Sequence, residues 1–285
     1  MTITRKLLLL IVCSSLLALA DKALAQEVVD IDLTDARPVQ NVLTAEWGHG
    51  AARNTYLAPM LYSGNQWGAR YERWRTMRSK KWHNEQIIDA DFLTGLAENG
   101  KNSEMWSGRA MYRYAMHRGF NDLSISDLSI YVGPYAGAEI GFDYNLKIGA
   151  ANNPGAVRAV TNVGASAMAV YDYRIKGRPC SVQLQAQAPV LGVAFMPEFG
   201  ASYYETFLID SDNNAHFASL HNEQDLDVRL STDIPLAVIP GLRRLKTVVR
   251  VGGYYHIETM KINKIVNRYS TVGICVGWTW KYLPL

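Results

Sequence analysis

Apolar and polar residues alternate along most of this chain, and the alternation is sharpest near its end. From Ser270 to Tyr282, the residues Val272, Ile274, Val276, Trp278, Trp280 and Tyr282 fall on one face of a strand. Thr271, Gly273, Cys275, Gly277, Thr279 and Lys281 fall on the other, because successive side chains of a strand point to opposite sides. One face is therefore apolar and the other small or polar. The apolar face ends in two tryptophans and a tyrosine, the side chains that favour a lipid–water boundary. A strand of this kind suits the wall of a transmembrane β-barrel, greasy outward and polar inward.

The same period recurs upstream. Strand-like segments are expected at residues 41–49, 55–63, 66–76, 86–96, 105–116, 128–143, 163–174, 181–191, 202–210, 215–220, 226–231, 245–258 and 267–282, separated by turn residues. Residues 202–210 and 215–220 read as a hairpin over the turn at 211–214. Single-chain bacterial barrels have even strand numbers with both ends in the periplasm. Merging the first two segments gives an all-β, antiparallel up-and-down barrel of about 12 strands, within a range of about 10–14. Counting back from a periplasmic C-terminus places residues 145–156 and 196–200 outside and makes Lys176-Gly177-Arg178-Pro179 a tight periplasmic turn.

The N-terminus adds an address. Arg5 and Lys6 precede a mostly apolar run from Leu7 to Ala20, and Ala23-Leu24-Ala25 is a small-residue cleavage motif. This is the layout of a secretory signal peptide over residues 1–25, too short to span a bilayer. A lipoprotein signal ending at Cys13 is the weaker alternative. Residues 26–40, acidic and holding Pro38, form a periplasmic lead-in, and residues 41–285 form the barrel. The expected location is the outer membrane of a Gram-negative bacterium. No other stretch is long and apolar enough for a membrane helix, although 48% of residues are hydrophobic. Without the signal the chain carries 26 basic and 25 acidic residues. That balance offers no argument for nucleic acid or an anionic partner. Cys180 and Cys275 lie far apart at no metal-type spacing, and they read as small apolar side chains, not a disulfide.

The polar faces define the candidate site. If the apolar faces meet lipid, the lumen holds Arg109, Arg113, Glu139, Asp143, Gln183, Gln185, Gln187, Asp227, Arg229, Arg250 and His256, with Arg70, Glu72, Asp89 and Asp91 beside them. Both charge signs occur in similar number. A plug of ion pairs and hydrogen bonds is favoured over an open channel, because neither a single charge sign nor an aromatic ladder dominates. Catalytic residues are not expected. Outer-membrane phospholipases use a Ser–His–Asn set with His and Ser close in sequence, and none of the six histidines here lies in a His-x-Ser arrangement. His117 and His221 read as ordinary loop or girdle residues. The pair Asp89 and Asp91 shares a strand face, as a barrel protease requires, yet a salt-bridged lumen accounts for it equally. No metal, phosphate-loop or dinucleotide motif is present, so no cofactor is expected.

The run from Gly192 to Phe207, Gly-Val-Ala-Phe-Met-Pro-Glu-Phe-Gly-Ala-Ser-Tyr-Tyr-Glu-Thr-Phe, resembles a Bacteroidota-type family known as domain of unknown function 3316. The likeness extends over roughly residues 40–285. It implies a barrel-like envelope protein and supplies no catalytic residues. The chain departs from the common outer-membrane ending in Phe, closing on Tyr282-Leu283-Pro284-Leu285. Pro284 has no donor for a ladder, so the last strand is expected to stop near Tyr282. The function expected is non-enzymatic: a narrow channel, a small-ligand site or an envelope-structural component. A lipid hydrolase of the phospholipase or lipid A deacylase type and a secreted soluble β-barrel or sandwich carrier stand as alternatives. The expected partners are outer-membrane lipids and the barrel-assembly machinery, with no nucleic acid.

The face assignment is testable. Val276→Arg should weaken membrane assembly by on the order of a few kcal/mol, as charges do on a lipid-facing wall, while Thr279→Ala on the opposite face should be nearly silent. Heat-modifiability on gels after refolding into vesicles reads both, and equal behaviour would mean the faces are assigned wrongly.

Overall fold

The computed structural model describes residues 38–98, 103–120, 125–146, 154–198, 214–242, 245 and 247–282. The expected signal peptide, most of the lead-in and the segment at 202–210 lie outside the described residues. Eleven strands run in chain order: β1 (Val39–Asn54), β2 (Tyr62–Thr76), β3 (Trp82–Ala97), β4 (Glu104–Phe120), β5 (Leu128–Asn145), β6 (Gly155–Ile175), β7 (Arg178–Phe195), β8 (Ala215–Ser219), β9 (Glu223–Pro235), β10 (Val248–Ile262) and β11 (Ile265–Tyr282).

Each of β1 to β7 pairs antiparallel with its sequence neighbour, and β9, β10 and β11 continue the sheet. Two seams close it. Val39 lies opposite Tyr282 where β1 meets β11, and Ser181 lies opposite Asp233 where β7 meets β9. The result is a ring of ten strands, with β8 outside it, paired to the last residues of β7. Closure satisfies every strand edge internally, which is the condition for a sheet to cross hydrocarbon. Both chain ends of the ring lie on one rim, called here the terminal rim. The opposite one is the distal rim.

The strand number is thus ten in the ring and not about 12: of the two expected strands in excess, 202–210 lies outside the described residues and 215–220 stands outside the ring as β8. Two segments depart from expectation locally. Residues 55–61, expected as part of a merged first strand, are a loop. Asn54 folds them back: its carbonyl accepts from the amides of Leu57 and Ala58 at 3.1 and 2.9 Å, and its side chain accepts from the amide of Tyr56 at 3.1 Å. An Asn side chain that bonds its own backbone in this way competes with a ladder. The other segment, 215–220, forms β8 but is severed from β9. Gln187 lies opposite Asp227, yet Leu191 lies opposite Ser219, so residues 220–222 bulge out of the wall. Asn222 fastens the bulge, accepting from the Ser219 amide at 2.8 Å. Facing it, Pro189 lacks a donor and β7 slips register by one residue against β6 at Val163/Gly164. Val190 and Leu191 consequently both face outward, where strict alternation puts them on opposite faces.

Turn chemistry explains the tight ends. Lys176 and Gly177 (φ 50° and 77°) join β6 to β7, and Asn263 and Lys264 (φ 52° and 63°) join β10 to β11. Two successive left-handed residues make the hairpin turn whose twist matches that of the strands. The described ends of the expected loops, residues 145–146, 154–156 and 196–198, stand at the distal rim and the Lys176-Gly177 turn at the terminal rim, on opposite rims as expected; residues 147–153 and 199–200 lie outside the described residues.

Sidedness is the reverse of a water-soluble protein's. Ile140, Val272, Ile274, Val276 and Trp47 are each half or more exposed on the outer wall. Arg70, Arg113, His117, His256 and Gln66 are among the most deeply buried side chains. Cys180 and Cys275 are free and buried.

One glycine is required by close approach. A Cβ on Gly133 would lie 1.7 Å from the Met116 carbonyl oxygen, beside Pro134 where the β4–β5 ladder is interrupted. Gly133→Ala should therefore destabilise the barrel by about 1–3 kcal/mol, the usual cost of overpacking. Gly253→Ala, whose Cβ would find nothing nearer than 3.4 Å, should be close to neutral. The temperature at which the unheated gel band disappears would compare the two.

Candidate functional site: the barrel lumen

The inward face of each strand delivers its polar residues to a common interior, and six arginines organise it. Arg229 on β9 reaches across to Glu46 on β1, Asp89 on β3 (2.9 Å) and its own neighbour Asp227 (3.2 Å). Arg70 on β2 meets Asp89 and Asp227, each at 3.2 Å, and Glu72 at 2.7 Å. Arg113 on β4 bonds Asp225 at 2.8 Å and the Gln187 side-chain carbonyl at 3.1 Å. Arg109 bonds Asp91 at 2.7 Å. Its Nη1 also lies 2.8 Å from His256 Nε2, which lies 2.8 Å from Asp225. Nearer the distal rim, Arg158 meets Glu258 at 3.0 Å and Glu139 at 3.4 Å. Nearer the terminal rim, Arg250 meets Glu72 at 2.6 Å and Asp233 at 2.7 Å. Most consecutive arginines share a carboxylate, and Arg109 and Arg113 are linked through His256 and Asp225, so the pairs join into one column along the barrel axis.

Both ends of the column differ from its middle. At the distal rim two apolar clusters join the inward polar residues Asn54, Ser103, Asn145 and Asn267. Ala52, Tyr62, Leu93, Ala97, Met105 and Tyr269 form one buried cluster, and Leu57 and Met60 of the β1–β2 loop pack on it. Val160, Ala194, Met196, Ala218, Met260, Ile262 and Ile265 form a second, against which Tyr56 of the same loop packs. The loop that interrupts the expected strand is what stoppers this end. At the terminal rim lies a cavity of about 200 Å³, lined among others by Glu72, Trp74, Glu85, Tyr131, Gln183 and Arg250. Glu85 accepts from the Gln185 amide at 2.8 and 2.9 Å. Trp74 stacks on His83 at 5.2 Å and meets the edge of Tyr131 at 5.1 Å.

All the residues expected in the lumen face inward: Arg109, Arg113, Glu139, Asp143, Gln183, Gln185, Gln187, Asp227, Arg229, Arg250 and His256. The structure gathers ten of them into the column or its flanks. Gln183, at the terminal end, lines the cavity and accepts from Arg250 at 3.3 Å. The balance of signs differs from expectation. Among the described residues eleven carboxylates are buried against six arginines, and no lysine is. The acids missed from sequence are chiefly Glu46, Glu85, Glu223, Asp225, Asp233 and Glu258. The alternation around Asp227 already extends to Asp225 and Glu223, two and four residues upstream. Arg158 was missed because the start of β6 was placed eight residues late, at 163 and not at Gly155.

Nucleophile–base geometry is poor. His117 Nε2 lies 2.9 Å from Ser166 Oγ and 3.8 Å from Glu85, so serine and acid share one ring nitrogen, and both His117 and Ser166 are sealed from solvent. Ser219 Oγ and His221 Nδ1 touch on the exposed β8–β9 bulge. This Ser-x-His order is the reverse of the one sought in the sequence. Asn222 there donates to the Phe217 carbonyl and does not orient the imidazole. Asp89 and Asp91 are engaged by arginines. Among the described residues no group of His, Cys, Asp and Glu is disposed to hold a metal ion.

A model described as Protein of unknown function (DUF3316) matches residues 7–283. The chain belongs to the DUF3316 family. No curated protein matches its sequence. The outer membrane protease OmpT from Escherichia coli is similar in structure at 7% identity and a TM-score of 0.46, over 90% of this chain and 99% of that one. The transport unit of the autotransporter AIDA-I from Escherichia coli matches at 6% identity and 0.39, over 92% and 94%. Ail of Yersinia pestis matches at 7% and 0.24, over 85% and 98%. The description of this DUF3316 barrel therefore rests on its own strands and lumen.

Thr279 donates to Asp233 at 3.3 Å, so Thr279→Ala should cost about 1 kcal/mol and not be silent. Arg229→Gln should cost more, about 3–5 kcal/mol, because it strands Glu46, Asp89 and Asp227 without their shared cation. Adding Glu46→Gln to Arg229→Gln should recover part of that loss, since the acids outnumber the arginines. Chemical unfolding of the vesicle-embedded protein measures all three.

Proposed function

We propose that this DUF3316 protein is a non-conducting, non-enzymatic barrel of the Gram-negative outer membrane, with a small-ligand cup open at the rim that carries both chain ends. The observation that carries this reading is the arginine–carboxylate column. Ten strands enclose a bore that long side chains can cross, and here Arg229 and Arg113 do cross it. A hydrated pore requires charged walls separated by water. Walls that clasp each other leave no path. The apolar stopper at the distal rim supports the same conclusion.

The exposed apolar wall and the ring closure support membrane residence over a soluble carrier, because a monomer in water does not leave so large an apolar band uncovered. Against the hydrolase reading stand the sealed Ser166–His117 pair and the unoriented imidazole at Ser219–His221. The cup supports the ligand-site reading. It is the size of a small solute and combines an aromatic wall with hydrogen-bonding groups, the usual composition of such sites.

Planar-bilayer recording should show no steady open-channel current from the wild-type protein. Sustained conductance would overturn the closed reading. A fluorophosphonate probe should leave Ser219 and Ser166 unlabelled, and labelling that disappears in Ser219→Ala would establish the hydrolase instead.

A further inference from the structure

We infer that the β2–β4 sector of the terminal rim is a binding surface for anionic phospholipid headgroups. The near-neutral composition of the chain conceals how its charges are sorted. The lumen takes eleven buried carboxylates and six arginines, which leaves the basic residues in excess on the outside. Six of them stand together at one place. β2 ends with Arg73 and Arg75, the β2–β3 turn carries Arg78, Lys80 and Lys81, and β4 ends with Arg118.

Strand register brings these residues to one level. Arg75 lies opposite Asn84 of β3, and Arg118 lies opposite Trp82. The Lys81 carbonyl accepts from the Gly119 amide at 2.8 Å, and the Trp82 carbonyl accepts from the Met77 amide at 2.8 Å. Arg78, Lys81 and Arg118 are exposed. The exposed acids described at this rim, Asp127 and Asp172, belong to the β4–β5 connection and to β6. Arg75, Arg78, Lys81 and Arg118 lie on neighbouring strands and the turn between them, and like charges so placed repel unless a counter-charge sits between them; a row of phosphates supplies it.

The patch also borders the apolar wall directly. Trp82 and Phe120 are 39% and 45% exposed there, and the Arg118 guanidinium lies 5.4 Å over the Phe120 ring. Aromatic side chains at the boundary with arginines and lysines just beyond them is the arrangement that places cations at headgroup depth. Clustered cations beside a membrane surface select anionic lipid. A soluble acidic protein would not need the flanking aromatics, so the lipid is the occupant favoured.

The test uses the refolded barrel in mixed phosphatidylethanolamine–phosphatidylglycerol vesicles, followed by native mass spectrometry of the lipids retained on extraction. Wild type should retain phosphatidylglycerol several-fold over its share of the vesicle, and added salt should reduce the preference. Arg75→Gln/Lys81→Gln/Arg118→Gln should bring retention to the vesicle ratio. The corresponding lysine variant, with Arg75 and Arg118 replaced by Lys, should keep the preference. A distal-rim control, Arg53→Gln/Lys261→Gln/Arg268→Gln, should also keep it. No preference in the wild type, or an unchanged one in the glutamine variant, overturns the inference while leaving the closed-barrel reading intact. Failure of the wild type to insert, read by the gel shift of the same sample, overturns both.

Discussion

A sheet closed into a ring with an apolar outer wall must satisfy its inward polar groups from within, and in this protein that constraint falls on the arginines of the lumen. The backbone meets it by ring closure. The inward side chains meet it by the column from Arg158 through Arg109, Arg113, Arg229 and Arg70 to Arg250. Guanidinium groups suit the task because each offers five donors in a planar fork. Arg229 uses three of its nitrogens on three different carboxylates, from β1, β3 and β9. An ammonium could hold one or two of these acids but not brace three strands at fixed angles. The absence of buried lysine among the described residues follows from this geometry.

Much of the wall was legible in the sequence because period-two patterning is a strong signal over ten or more residues. The C-terminal strand, the Lys176-Gly177 turn and the inward placement of the glutamine row at 183–187 all follow from it. What failed did so for local reasons. Residues 55–61 have strand-like composition, but the side chain of Asn54 turns the chain, and this competition between side chain and ladder leaves no periodic trace. Pro189 in β7 and the bulge at 220–222 each break the alternation. A reader who carries parity straight through them assigns the wrong face to Leu191 and counts β8 as a staved strand of the ring.

The lumen was legible residue by residue but not as a network. Inward residues can be listed from parity alone. Which arginine meets which acid depends on the stagger of strands far apart in the chain, such as Arg229 with Glu46 or Gln185 with Glu85. Stagger is set by closure at the β1–β11 and β7–β9 seams, and no single segment encodes it. Ser166 and His117 meet over the intervening β5 at 2.9 Å, although nothing near either in sequence points to the other.

Sorting of charge is the last consequence of closure. A soluble domain disperses its acids and bases over one surface, so its net charge describes what partners meet. Here the ring divides the surface into an inside and an outside, and the two need not balance separately. Acids concentrate inside because each arginine fork serves several of them at once. Bases remain outside, at the rims, since the apolar wall between excludes charge. A composition that looks neutral thus yields an acid-rich interior and a basic edge.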